Sequence, residues 1–96
     1  KAFQVFGGGE EVEVSIWFNP QKAHFVRERR WHPSQRIEEQ EDGSLVLHMK
    51  TTGLVEVKNW VLTFGSGAEV LAPESLRQDC RSELADMLKL YEGQGA

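Results

Sequence analysis

Six basic or imidazole side chains, His24, Arg27, Arg29, Arg30, His32 and Arg36, fall within one short stretch of this chain. Guanidinium forks meet phosphate and carboxylate oxygens in matched pairs. The cluster therefore suits an anionic effector: a phosphate, a nucleotide or a small carboxylate. Arg27, Arg29, Arg30 and His32 are the candidate ligand-binding residues. The plainer alternative is an exposed helix end, where cations complement the dipole.

Other reactive groups point to little chemistry. His24, His32 and His48 are separated by 8 and 16 residues, which matches no metal-ligand spacing, so no metal and no cofactor are expected. Cys80 is the only cysteine, which rules out an internal disulfide and fits a reducing, cytoplasmic setting. Its neighbours at helical spacing, Leu76 and Leu84, make it a small buried residue rather than a nucleophile. Glu38, Glu39, Glu41 and Asp42 sit in a polar hairpin, where a solvated carboxylate is a poor general acid or base. Gly7-Gly8-Gly9 lacks the Lys-Ser/Thr ending of a phosphate loop and precedes a strand. No nucleophile has a base placed beside it by the sequence, and an enzyme is not expected.

The 96 residues are enough for one domain. The formal charge is −4, and it is uneven: residues 36–96 carry 6 basic and 11 acidic side chains. An acidic second half is a poor partner for a phosphate backbone. No apolar run is long enough to span a membrane.

The elements that position these groups follow from periodicity. Residues 11–19 alternate, with Val12, Val14, Ile16 and Phe18 on one face and Glu13, Ser15 and Trp17 on the other. Trp17 is thus a large aromatic on an outward sheet face, a candidate interface residue unless the last helix or the N-terminal segment covers it. Asn19-Pro20 caps and opens a helix running to about Arg30. Residues 34–41 read as a charged, extended segment with Ile37 its one large apolar residue. Asp42-Gly43 makes a hairpin, and residues 44–51 return with Leu45, Leu47 and Met49 on one face. Leu54, Val57, Val61 and Phe64 share a helical face that Gly65 and Gly67 end, with Thr52 or Gly53 as the starting cap. Glu69-Val70-Leu71 is a short strand. Ser75 with Gln78 reads as a capping box for a last helix that keeps Leu76, Cys80, Leu84, Met87, Leu88 and Tyr91 on one side. The predicted core is Val12, Val14, Ile16, Phe18, Leu45, Leu47, Val57, Val61 and Phe64. The order is α+β, a ferredoxin-like βαββαβ sandwich with an additional C-terminal helix.

The ordered set of residues also resembles a known family. It comprises the arginine-rich helix, His32-x-Ser34-Gln35 with Ile37, Asp42-Gly43-Ser44, Glu56-x-x-x-Trp60-Val61-Leu62-x-x-Gly65, and Glu69-Val70-Leu71-x-Pro73-x-x-Leu76-Arg77. Over about residues 11–91 it is similar to the C-terminal extension, or WCX domain, of bacterial WYL-domain transcriptional regulators. The glycine run reads as a linker at 1–9 from a preceding domain and the last residues as a flexible tail at 93–96, and the resemblance implies a WCX-like domain at 10–92. It implies regulation or dimerisation, transmitting or sensing an effector signal, through self-association or docking on a preceding WYL domain. DNA would be reached only through a helix-turn-helix domain absent from these residues. An ACT-like small-molecule-binding module shares the element order and is the alternative.

Overall fold

The computed structural model describes residues 10–93, so the expected linker at 1–9 and residues 94–96 of the expected tail lie outside the described residues. The elements are β1 (Val12–Phe18), α1 (Pro20–Arg27), β2 (Arg36–Glu39), β3 (Leu45–Thr51), α2 (Leu54–Leu62), a 3-10 turn at Gly65–Gly67, β4 (Ala68–Ala72) and α3 (Glu74–Tyr91). The sheet is antiparallel with order β2-β3-β1-β4, so the two apolar strands are central and the charged and short ones are edges. This is the ferredoxin-like α+β arrangement with one more helix at the end.

Strand alternation sets the core. Val14, Ile16 and Phe18 of β1 and Leu45, Leu47 and Met49 of β3 meet Ala23 and Val26 of α1 and Val57 and Val61 of α2 in one buried cluster. The opposite face of the sheet carries Ser15, Trp17, Val46 and His48, paired across the β1–β3 ladder. α3 does not cover that face. Its first turns enter the core through Leu76 and Cys80, beside α2 and β4, and Arg77 donates to the carbonyl of Val70 at 2.9 Å. That bond occupies a backbone acceptor on the edge strand.

Several boundaries differ from expectation, each for a local reason. α1 ends at Arg27, not Arg30, because the Trp31 indole turns back and donates to the carbonyl of Val26 at 3.1 Å. Gln35 then holds the loop: its side-chain oxygen accepts from the backbone N–H of Trp31 and of His32, and its amide donates to the carbonyl of Arg29. α3 starts at Glu74 with Pro73 as its cap, so Ser75 lies inside the first turn and Gln78 bonds Glu74 instead. Gly53, one of the two expected caps, starts α2 without a side-chain bond, and its own N–H is held by Thr51 Oγ1 at 3.0 Å. Phe64 and Val12 are only partly buried, since Val12 opens β1 and Phe64 lies past the end of α2. Asn19 caps α1 as its sequence requires, accepting from Lys22 N at 2.9 Å.

The two glycines after α2 do different work. Gly65 has φ +59°, the left-handed turn that ends a helix. Gly67 has no such φ, but a Cβ there would lie 2.4 Å from Lys22 Cγ, and its carbonyl accepts from Asn19 N at 2.9 Å. The segment that leads into β4 therefore packs directly on the start of α1.

Candidate functional site

The basic cluster does not stay together as one pocket. Arg27 bonds Glu39 through Nε and Nη2 and also reaches the carbonyl of Gly43 at 3.0 Å, so it ties α1 to the β2–β3 hairpin. Arg36 lies 3.5 Å from Glu13, and His24 lies 3.7 Å from Glu28. His32 Nδ1 accepts from the backbone N–H of Ser34 at 3.1 Å and meets its hydroxyl at 2.8 Å. Among the described residues Arg29 and Arg30 have no carboxylate partner. Arg29 sits 5.5 Å above the Trp31 ring, and Arg30 reaches the carbonyl of Pro33 at 3.4 Å. Below them Trp31, Trp60, Phe64 and Phe18 form a chain of ring contacts with centroids 4.8–5.6 Å apart. The corner is therefore aromatic underneath and cationic on top.

On the open sheet face three strands are joined by side chains. Ser15 Oγ lies 2.9 Å from His48 Nδ1, and His48 Nε2 lies 2.9 Å from Glu38 Oε1. The Glu38 carboxyl is held below its ordinary range, first by its bond from His48 and then by one involving Gln40. A carboxylate only accepts, so Nε2 carries a hydrogen, and in the neutral imidazole the Ser15 hydroxyl donates to Nδ1. The order carboxylate–imidazole–hydroxyl is that of a base-assisted nucleophile, but Glu38 is 57% exposed and solvated. The sequence did not signal this link. Ser15 and His48 meet only through the β1–β3 register, and Glu38 reaches His48 diagonally across β2–β3. Trp17, half-buried, faces Val46 and Glu69 and lines a shallow cleft with Gln40, Glu41, Asp42 and Leu71.

A third feature was also unforeseen. Between α2, β4 and α3 runs a groove of about 330 Å³ lined by Val61, Leu62, Ala68, Val70, Leu84 and Met87, with Glu69, Arg77 and Arg81 among its polar residues. Arg77 is engaged by Glu69 at 2.6 Å. Beyond the groove the last turns of α3 leave the fold: Leu88, Leu90 and Tyr91 are 56%, 75% and 85% exposed. The sequence showed the stripe but not where it would lose contact with the sheet.

Comparison with known proteins bears on what these surfaces belong to. The family model of the WCX domain matches residues 10–88. The chain belongs to the WCX domain family. No curated protein sequence matches this WCX domain. Among solved structures it resembles the proteasome accessory factor B/C (PafBC) of Arthrobacter aurescens, at 25% identity and TM-score 0.59. The match covers 74% of this chain and 11% of that one, so the WCX domain here corresponds to a small part of PafBC. Among its described residues no helix is long and apolar enough to cross a membrane, and no group of three or more His, Cys, Asp or Glu could hold a metal ion.

Proposed function

We propose that this WCX domain is a non-catalytic regulatory module of a bacterial cytoplasmic transcriptional regulator, acting by association. The observation that carries this reading is the distal stripe of α3. Leu84, Leu88 and Tyr91 recur at helical spacing and are 49%, 56% and 85% exposed, with Met87 beside them. Helix stripes of this kind are buried against another helix in stable proteins. A second copy is the occupant this surface suits best. Arg81 precedes the stripe and Glu92 follows it, so an antiparallel pair brings opposite charges together at both ends.

The open sheet face with Trp17 is, in the same reading, the surface that docks on a neighbouring WYL domain. Arg29 and Arg30 offer two guanidinium groups without a carboxylate partner among the described residues to an anionic effector or to an acidic patch of that neighbour. DNA contact belongs to a separate helix-turn-helix domain. The similarity to PafBC and the family match support the regulatory setting.

Sedimentation equilibrium of the 96-residue chain tests the association. Wild type self-associates with rising concentration, and Leu88→Glu/Tyr91→Glu is monomeric with an unchanged circular dichroism spectrum. A monomeric wild type at the highest concentration would refute the pairing of copies.

A further inference from the structure

The groove between α2, β4 and α3 has the chemistry of a small amphiphile site. Its walls are Val61, Leu62, Ala68, Val70, Leu84 and Met87, none of which offers a side-chain hydrogen bond. Its volume, about 330 Å³, lies at the lower end of small-molecule sites. Met87 adds an adaptable side chain that can follow a ligand's shape. The Cys80 thiol on the same wall is pushed up by burial, so it is neutral and behaves as part of the apolar lining.

The polar end is asymmetric. Arg77 is spent on Glu69 Oε2 at 2.6 Å and the carbonyl of Val70 at 2.9 Å. Arg81, one turn further along α3, lines the same groove and has no carboxylate partner among the described residues. An apolar slot with one unspent guanidinium at its edge matches a hydrocarbon with one anionic head. We propose that this groove binds a medium-chain aliphatic carboxylate, with its chain against Val61, Ala68, Leu84 and Met87 and its carboxylate on Arg81.

The site also has a route to the rest of the molecule. Leu84 and Met87 are wall residues of the groove and lie one turn from Leu88 and Tyr91 on the same face of α3. A bound carboxylate would take the Arg81 guanidinium that the proposed pairing sets against Glu92 of a second copy, so binding and pairing compete for it. This coupling rests on the proposed association, whereas binding itself does not.

The experiment is an amide NMR titration of the 96-residue chain with hexanoate and octanoate below their micelle concentrations. It is run on the Leu88→Glu/Tyr91→Glu background, so that failure of self-association and failure of ligand binding remain separate results. Octanoate should shift Val61, Ala68, Leu84 and Met87, and each added methylene should tighten binding by up to about fourfold. Arg81→Gln should weaken octanoate about tenfold or more while leaving 1-octanol unchanged. Leu84→Trp, which fills the groove from its exposed wall, should abolish both. Three results would overturn the proposal: no shift at the groove residues at millimolar octanoate, shifts spread over all exposed apolar residues including Phe25, or equal octanoate affinity on that background with and without Arg81→Gln.

Discussion

Arg27 grips Glu39 with two parallel hydrogen bonds, Nε to Oε2 at 2.9 Å and Nη2 to Oε1 at 2.8 Å, and so fastens the end of α1 to the edge strand β2. The pair holds the Glu39 carboxyl below its ordinary range through that side-chain bond first. Glu38, bonded by His48, and Asp42, bonded by the Ser44 hydroxyl and backbone, are held low in the same way. A carboxylate whose folded value is depressed stabilises the fold above its unfolded value, about 4, and that contribution disappears as pH falls through the lower folded value. All three acids are in the β2–β3 hairpin and its ends. Denaturant titrations from pH 7 to pH 2 should therefore show stability flat at first, then falling below about pH 4. Glu39→Gln should be less stable than wild type near neutrality, and the difference should close at low pH. A difference that persists unchanged at pH 2 would mean that the carboxylate charge is not what Arg27 reads.

The core offers a sharper contrast between two phenylalanines. Phe18 is fully buried and touches the rings of Trp60 and Phe64, with centroids at 5.6 and 5.1 Å. Phe64 shares that contact but is only partly buried, since α2 has already ended at Leu62. Phe18→Ala should cost about 3–5 kcal/mol. Phe64→Ala leaves a site partly filled by water and should cost less, about 1–2 kcal/mol. Urea midpoints of the two variants, compared at a common slope, check the order.

Gly65 isolates a backbone effect. Its φ is +59°, and nothing lies within 4 Å of where a Cβ would stand. Gly65→Ala therefore meets no clash, and the cost is that of a left-handed non-glycine residue, about 1–2 kcal/mol. Gly67→Ala differs, because the added methyl must displace the Lys22 stem. Thermal melts should show Gly65→Ala destabilised even when Lys22 is replaced by Ala, and Gly67→Ala partly rescued by that replacement.

How much of this was written in the sequence depends on the range of the interaction. Alternation in β1 and β3, the Asn19 cap and the Asp42-Gly43 turn are properties of adjacent residues, and the strand order followed from them. The end of α1 was misplaced by three residues, because the decisive group, the Trp31 indole on the Val26 carbonyl, acts from outside the helix. The basic cluster was visible as composition, but its division was not. Arg27 is claimed by Glu39, twelve positions away, and only the packing of α1 on the hairpin brings them together. The Ser15–His48–Glu38 link and the Arg81 groove depend on register and on how α3 leaves the sheet, which no local pattern encodes.

That link makes a prediction of its own. Ser15 and His48 are partly buried, the His48 side chain being 15% exposed, and each hydrogen bond joins a different pair of strands. At pH above the imidazole's titration, nitrogen NMR should find His48 as the Nε2–H tautomer, because Glu38 can only accept. Ser15→Ala should cost about 0.5–1.5 kcal/mol by leaving Nδ1 without its donor. An Nδ1–H tautomer would reverse the direction of the Ser15 bond and remove Glu38 from the chain.

Trp17 distinguishes the two proposed contact surfaces. It stands on the open face opposite Val46 and Glu69, whereas Leu84 and Met87 of the α3 stripe line the groove with Val61 of α2 and Val70 of β4. The two surfaces do not share residues, so they should report separately. Incorporating 5-fluorotryptophan gives one fluorine signal each for Trp17, Trp31 and Trp60, and loss of a peak in Trp17→Phe assigns the first. Solvent exposure of that peak, read from the shift between water and heavy water, should stay constant as the 96-residue chain self-associates through α3. It should fall when a WYL domain is joined ahead of residue 1, because covering the exposed part of this half-buried indole gains a fraction of the roughly 1.5–3 kcal/mol that fully burying a large apolar side chain is worth. If concentration alone shields Trp17, the copies pair through their sheet faces, and the assignment of the α3 stripe to self-association is wrong.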